Sequence, residues 1–188
     1  GSPKEHQEND SPHTVEISLL PASEKVTTFQ LVDLYGVSDG TATQEDDYTM
    51  TPGLQTMGIG VTSLPFEITL VSGDAHEDDE TVKLQLNSEE NATLTDENAA
   101  YTLTIKNSDA SPIVTSKDED GAVDVAENVT GGVYEMEIEL NWPSYQDVVF
   151  SYAVSGASTA TEGTDFTVDD GASDNNTLTI TPGNNRRD

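Results

Sequence analysis

The sequence contains no cysteine, and only seven of its 188 residues are lysine or arginine. The first absence removes disulfides, thiol nucleophiles and cysteine-built zinc sites, while leaving the compartment open, since exported bacterial modules often lack cysteine as well. The scarcity of bases stands against 36 aspartates and glutamates, giving a formal net charge of -29 and a pI near 4.1. A field of that sign repels nucleic acid and anionic membrane. Long apolar runs are missing: none approaches the ~18 residues that cross a bilayer, and no secretory leader pattern precedes the first periodic segment. No segment sustains a 3.6-residue apolar period, which argues against a helical protein. Glycine-rich phosphate loops, nucleophile elbows and metalloprotease helices are absent. Acidic pairs are too frequent to single out a glycosidase pair, and the chain reads as a non-enzyme.

What is there is alternation. Hydrophobic residues make up 34% of the chain and fall in period-2 patterns, so the acidity does not signal disorder. Strands are predicted at "TVEISLL" from Thr14, "FEITLV" from Phe66, "TVKLQL" from Thr81 and "YTLTI" from Tyr101. Further strands are predicted at "VYEMEIEL" from Val133, "VVFSYAV" from Val148 and "TLTI" from Thr177. Gly, Pro, Asn and Asp clusters separate them. The fold class is all-β, and the number of strands suggests two sandwiches.

An internal repeat supports that count. "TATQEDDYT" from Thr41 matches "TATEGTDFT" from Thr159, and "EN" at Glu8 before "VEISL" is mirrored by "EN" at Glu127 before "MEIEL". We expect two tandem modules, 1–110 and 111–188, joined at "NSDASP", with 1–4 read as a disordered or tag-derived start. The second is expected to be incomplete: "TPGNNRRD" arrives before any counterpart of the acidic stretch and strands that close the first. A sandwich short of about three strands leaves sheet edges and half a core uncovered.

The most unusual stretch is "SGDAHEDDETVKLQL" from Ser72, with five acids between Asp74 and Glu80 and no base among them. Together, "DGTATQEDDYT", this "EDDET" and the "YTLTI" segment followed by Asp109 resemble the Calx-beta family, the calcium-binding module of sodium/calcium exchanger regulatory loops, also found in arrays in large bacterial surface proteins. The resemblance covers residues 5–110 fully and 113–183 in part. It implies an immunoglobulin-like antiparallel β-sandwich with calcium bound in loops at one end. Carried over by position, the implied ligands are Glu8, Asp47, Asp74, Glu77, Glu80 and Asp109. Glu127 and Asp165 are the remnant matches in the second module. Calcium takes six to eight hard oxygen ligands, which such a set supplies. Ser72, Gly73 and Asn107 stand where the family commonly carries acids, implying fewer ions or weaker binding.

Rival readings carry less. "KDEDG" at Lys117 places its glycine too early for an EF-hand, and His6, His13 and His76 are scattered. The functional expectation is a calcium-binding extracellular structural or adhesion module, part of a large repetitive bacterial surface protein whose repeats calcium rigidifies. Its expected partners are calcium ions, neighbouring repeats and a cell-surface or polysaccharide ligand, with no nucleic acid and no membrane insertion. The alternatives are an intracellular calcium-sensing regulatory domain of a transporter, and a carbohydrate-binding sandwich presenting Trp142 and Tyr145.

Overall fold

The computed structural model describes residues 4–35, 40–94, 99–117, 123–126, 132–169, 176–183 and 186–187. They contain strands and no α-helix, so among the described residues no helix is long and apolar enough to cross a membrane. The chain divides into two compact units, residues 1–73 with 78–108, and residues 74–77 with 109–188.

The first unit is a two-layer all-β sandwich. Its strands are β1 (Lys4–Gln7), β2 (His13–Ser18), β3 (Thr27–Asp33), β4 (Tyr48–Thr49), β5 (Gly53–Met57), β6 (Ser63–Leu70), β7 (Glu80–Glu90) and β8 (Ala100–Lys106). One sheet has the order β1-β8-β7-β3-β5, the other β2-β6-β4. All pairings are antiparallel except β1 on β8, which runs parallel with Lys4 opposite Leu103 and Gln7 opposite Lys106.

Strict alternation builds this core. In β6, Phe66, Ile68 and Leu70 are buried while Glu67 and Thr69 face solvent. On the facing sheet Leu31, Val82, Leu84, Leu103 and Ile105 turn inward onto the same cluster, with Tyr48. Each such side chain contributes roughly 1.5–3 kcal/mol on burial. Strand β3 was not among the predicted strands, yet its Thr27, Phe29 and Leu31 alternate as buried residues.

The second unit comprises β9 (Val114–Ser116), β10 (Ile138–Leu140), β11 (Val148–Ser151), β12 (Thr177–Ile180) and β13 (Arg186–Arg187). Its sheets are β13-β10-β9 and the pair β11-β12. In the first unit Thr27 pairs with Met57 and Phe29 with Gln55; here Val148 pairs with Ile180 and Phe150 with Leu178. β11 and β12 therefore repeat β3 and β5, and Met57 and Ile180 are both buried. Among the described residues nothing repeats β6, β7 or β8. The consequence is visible in burial: Ala75, Leu140 and Ile180 are the buried apolar residues of this unit, while Val133, Met136 and Val149 lie exposed. The predicted strand from Val133 shrinks accordingly to Ile138–Leu140.

Candidate metal centre

The first element of the site is a turn. Asp47 N–H donates to the Thr43 carbonyl at 2.9 Å, and Thr43 N–H donates back to Asp47 Oδ2 at 2.5 Å. Glu45, at a positive φ of 77°, donates to the Tyr48 carbonyl. Asp is suited to such a turn because its short carboxylate reaches its own backbone. Tyr48 anchors the turn in the core, and its hydroxyl donates to Asp33 Oδ2 at 2.8 Å. Burial first, and the Asp33 bond second, push the Tyr48 phenol pKa well up, so it remains a donor.

The second element is the edge where β7 begins, as β8 and β1 end. Glu80 opens β7 opposite Ile105. The chain after β3 stays alongside: Leu34 N–H donates to the Lys83 carbonyl, and those of Thr41 and Ala42 donate to the Thr81 carbonyl. The turn carrying Asp47 is thereby brought to Glu80.

Asp47 and Glu80, both in the first unit, are half-buried and offer carboxylate oxygens within 4.8 Å of one another. The remaining acids of the stretch are distributed differently. Asp74 and Asp78 are exposed. Asp79 accepts from Lys106 Nζ at 2.5 Å and from Asn107 N–H at 3.2 Å, and the Lys106 bond holds its carboxyl below the usual range. The crowding therefore resolves into two solvated acids, one paired with a base, Glu77 half-buried in the second unit, and Glu80 beside Asp47 in the first.

The other implied ligands lie outside that group. Glu8 is buried, and its Oε1 accepts from Ser108 N–H at 2.7 Å and Ser108 Oγ at 2.8 Å, tying the residue after β1 to the residues after β8. Asp109 is half-buried, and its carbonyl accepts from His76 Nδ1 at 3.2 Å. Asp165 is exposed on a turn that copies the first, with Thr161 N–H donating to its Oδ2 at 2.7 Å. Glu127 falls outside the described residues. Ser108, Tyr48, Thr41 and Thr81 are supporting residues not singled out from the sequence; Thr41 and Tyr48 lie within the repeated motif, which was the available signal.

The donor set consists of carboxylate oxygen alone. Two carboxylates supply two to four oxygens depending on denticity, which fits a hard cation of high coordination number completed by carbonyls or water. A transition metal calls for nitrogen or sulfur donors that this group lacks.

A Calx-beta domain family model matches residues 2–109. The chain belongs to the Calx-beta domain family. Among solved structures, this Calx-beta chain is similar to the apo-form Calx CBD1 domain, at 21% identity and a TM-score of 0.50, covering 56% of this chain and 90% of that one. CBD12 from CALX1.2 is similar at 19% identity and a TM-score of 0.51, covering 98% of this chain and 70% of that one. The calcium binding domain CBD12 of CALX1.1 is similar at 20% identity and a TM-score of 0.50, covering 77% and 58%. No curated protein matches the chain in sequence. At these identities the structural likeness speaks for the sandwich fold, while the family match makes calcium the relevant ion for the oxygen-only cluster.

Proposed function

We propose that this Calx-beta chain is a calcium-binding structural module of an extracellular, repetitive bacterial surface protein, in which calcium stiffens successive repeats that meet near residue 110. The observation that carries the calcium part is the pair Asp47 and Glu80 of the first unit, with carboxylate oxygens within 4.8 Å of each other. Asp47 and Glu80 hold the ion. Bound calcium supplies compensating positive charge, and because only the folded sandwich assembles the cluster, binding adds stability that grows with calcium concentration.

The extracellular part is supported by the net charge of -29 and the internal repeat. A sparse ligand set also fits the weak affinities, on the order of 10⁻⁴–10⁻³ M, of extracellular calcium modules. Calorimetric titration with calcium, alongside melting curves in chelator and in millimolar calcium, tests both parts. Unchanged melting would end the calcium assignment.

A second reading, a regulatory domain of a transporter, is favoured by the CBD12 likeness that spans 98% of this chain. A dissociation constant at or below about 10⁻⁶ M, in the range of intracellular sensors, would select it over the extracellular module.

A further inference from the structure

We propose that Thr41 and Thr81 are positioning residues for the cation, a reciprocal clasp that holds the Asp47 turn against Glu80 before the ion arrives. The inference rests on the calcium reading above and adds to it a built-in means of setting affinity.

The clasp is made twice over. Thr81 N–H donates to Thr41 Oγ1 at 2.9 Å, and Thr41 N–H donates to the Thr81 carbonyl at 3.0 Å. Ala42 N–H reaches that same carbonyl at 3.1 Å, and the two hydroxyls lie 3.5 Å apart. Thr81 follows Glu80 directly, and Thr41 precedes the turn that begins at Thr43. A shift at the clasp therefore moves the two carboxylates relative to each other. Both threonine side chains are partly or fully exposed and stand outside the buried core cluster.

The repeat supplies an internal control. In the second unit Asp165 N–H donates to the Thr161 carbonyl at 2.8 Å, Thr161 N–H donates to Asp165 Oδ2, and Gly163 N–H donates to the Phe166 carbonyl at 2.8 Å. These are the bonds of the Thr43–Tyr48 turn, residue for residue. The turn therefore forms without a clasp. Thr159, the counterpart of Thr41, is exposed and joins no strand of this kind among the described residues, and Asp165 lies in no carboxylate group there. The turn aims the aspartate in both copies; in the first the Thr41–Thr81 tie joins it to the strand that carries a second carboxylate, a strand that nothing repeats among the described residues of the second unit.

The Thr41 hydroxyl is the separable part, since it accepts the Thr81 N–H through a side chain that substitution can remove. Removing a residue that orients metal ligands typically weakens binding about 10–100-fold. Calcium titration of the full chain should show Thr41→Val binding at least about tenfold more weakly than wild type, with Thr41→Ser within about threefold of wild type. Thr41→Ala serves as the second side-chain deletion, so that a folding defect peculiar to valine does not decide the result. Metal-free melting of each variant checks the fold. Wild-type affinity in both hydroxyl-less variants overturns the proposal, and so does a loss that serine fails to restore. If the wild type takes up no calcium, the calcium reading falls instead, so the two failures are distinct.

Discussion

Glu80→Gln is expected to act with opposite signs in the absence and presence of calcium. Glu80 shares its cluster with Asp47, the oxygens lying within 4.8 Å. At that separation two unit charges in a water-like medium repel by about 1 kcal/mol. Glutamine keeps the shape and removes that repulsion, worth up to about 1 kcal/mol before salt screening and about 0.5 kcal/mol after it. For a unit of this size that raises the metal-free melting temperature by roughly 2 °C. Calcium at about a hundred times the wild-type dissociation constant adds about 2.7 kcal/mol to the wild type. A variant binding tenfold more weakly gains about 1.4 kcal/mol, half the increment. Differential scanning calorimetry in chelator and in saturating calcium reads both quantities. A variant that melts no higher than wild type in chelator and keeps the whole calcium increment would refute the cluster as a site of repulsion and of binding alike.

Other expectations follow from the packing and the titratable groups. Leu103→Ala, at a position 0% exposed, should cost the first unit about 2–5 kcal/mol in urea titrations, whereas Val149→Ser, at 61% exposure, should stay within about 0.5 kcal/mol. Glu8→Ala leaves Ser108 N–H without its acceptor and should cost about 1–3 kcal/mol whether or not calcium is present; a loss confined to the calcium-loaded protein would make Glu8 a ligand instead. Burial, and then neighbouring His6, lower the pKa of His13 from 6.5. The unfolded chain therefore takes the proton first, so stability falls as pH drops from 6.5 to the lowered folded-state value and the loss is complete below it. Urea midpoints at stepped pH should show this slope in wild type and a smaller one in His13→Phe.

The sheets were legible where one face is buried against another. β6 and β8 announce themselves because Phe66, Ile68, Leu103 and Ile105 alternate with polar residues and find a facing layer. β3 escaped because threonine, glutamine and aspartate dilute the same alternation in "TTFQLVD". β1 has no apolar residue at all; its inward side chain is His6, and its parallel partner β8 lies far along the chain. The opposite error arises at Tyr134 and Met136, which alternate in phase with Ile138 and Leu140 as a strand should but lie exposed among residues that lack a covering layer. Within the site, the resemblance carried by the acidic stretch and the "DDYT" turn implied Asp47, Asp74, Glu77 and Glu80, of which Asp47 and Glu80 lie together in the first unit and Asp74 is exposed. Which acids were engaged elsewhere was not legible, because Lys106 reaches Asp79, and Ser108 reaches Glu8, only after distant strands are brought together.

The parallel ladder between β1 and β8 has a mechanical consequence. These are the first and last strands of the first unit, laid side by side over Lys4–Gln7 and Leu103–Lys106, and tension applied across that unit would pull them past each other lengthwise. Their bonds then share the load and yield together, as in a lap joint, instead of opening one after another like a zipper. Glu8, bonded to Ser108 just beyond the ladder, acts as a rivet at its end. Single-molecule stretching of the full chain should show one high-force rupture for this unit, lowered by Glu8→Ala; a series of small, low-force steps would mean that the joint peels.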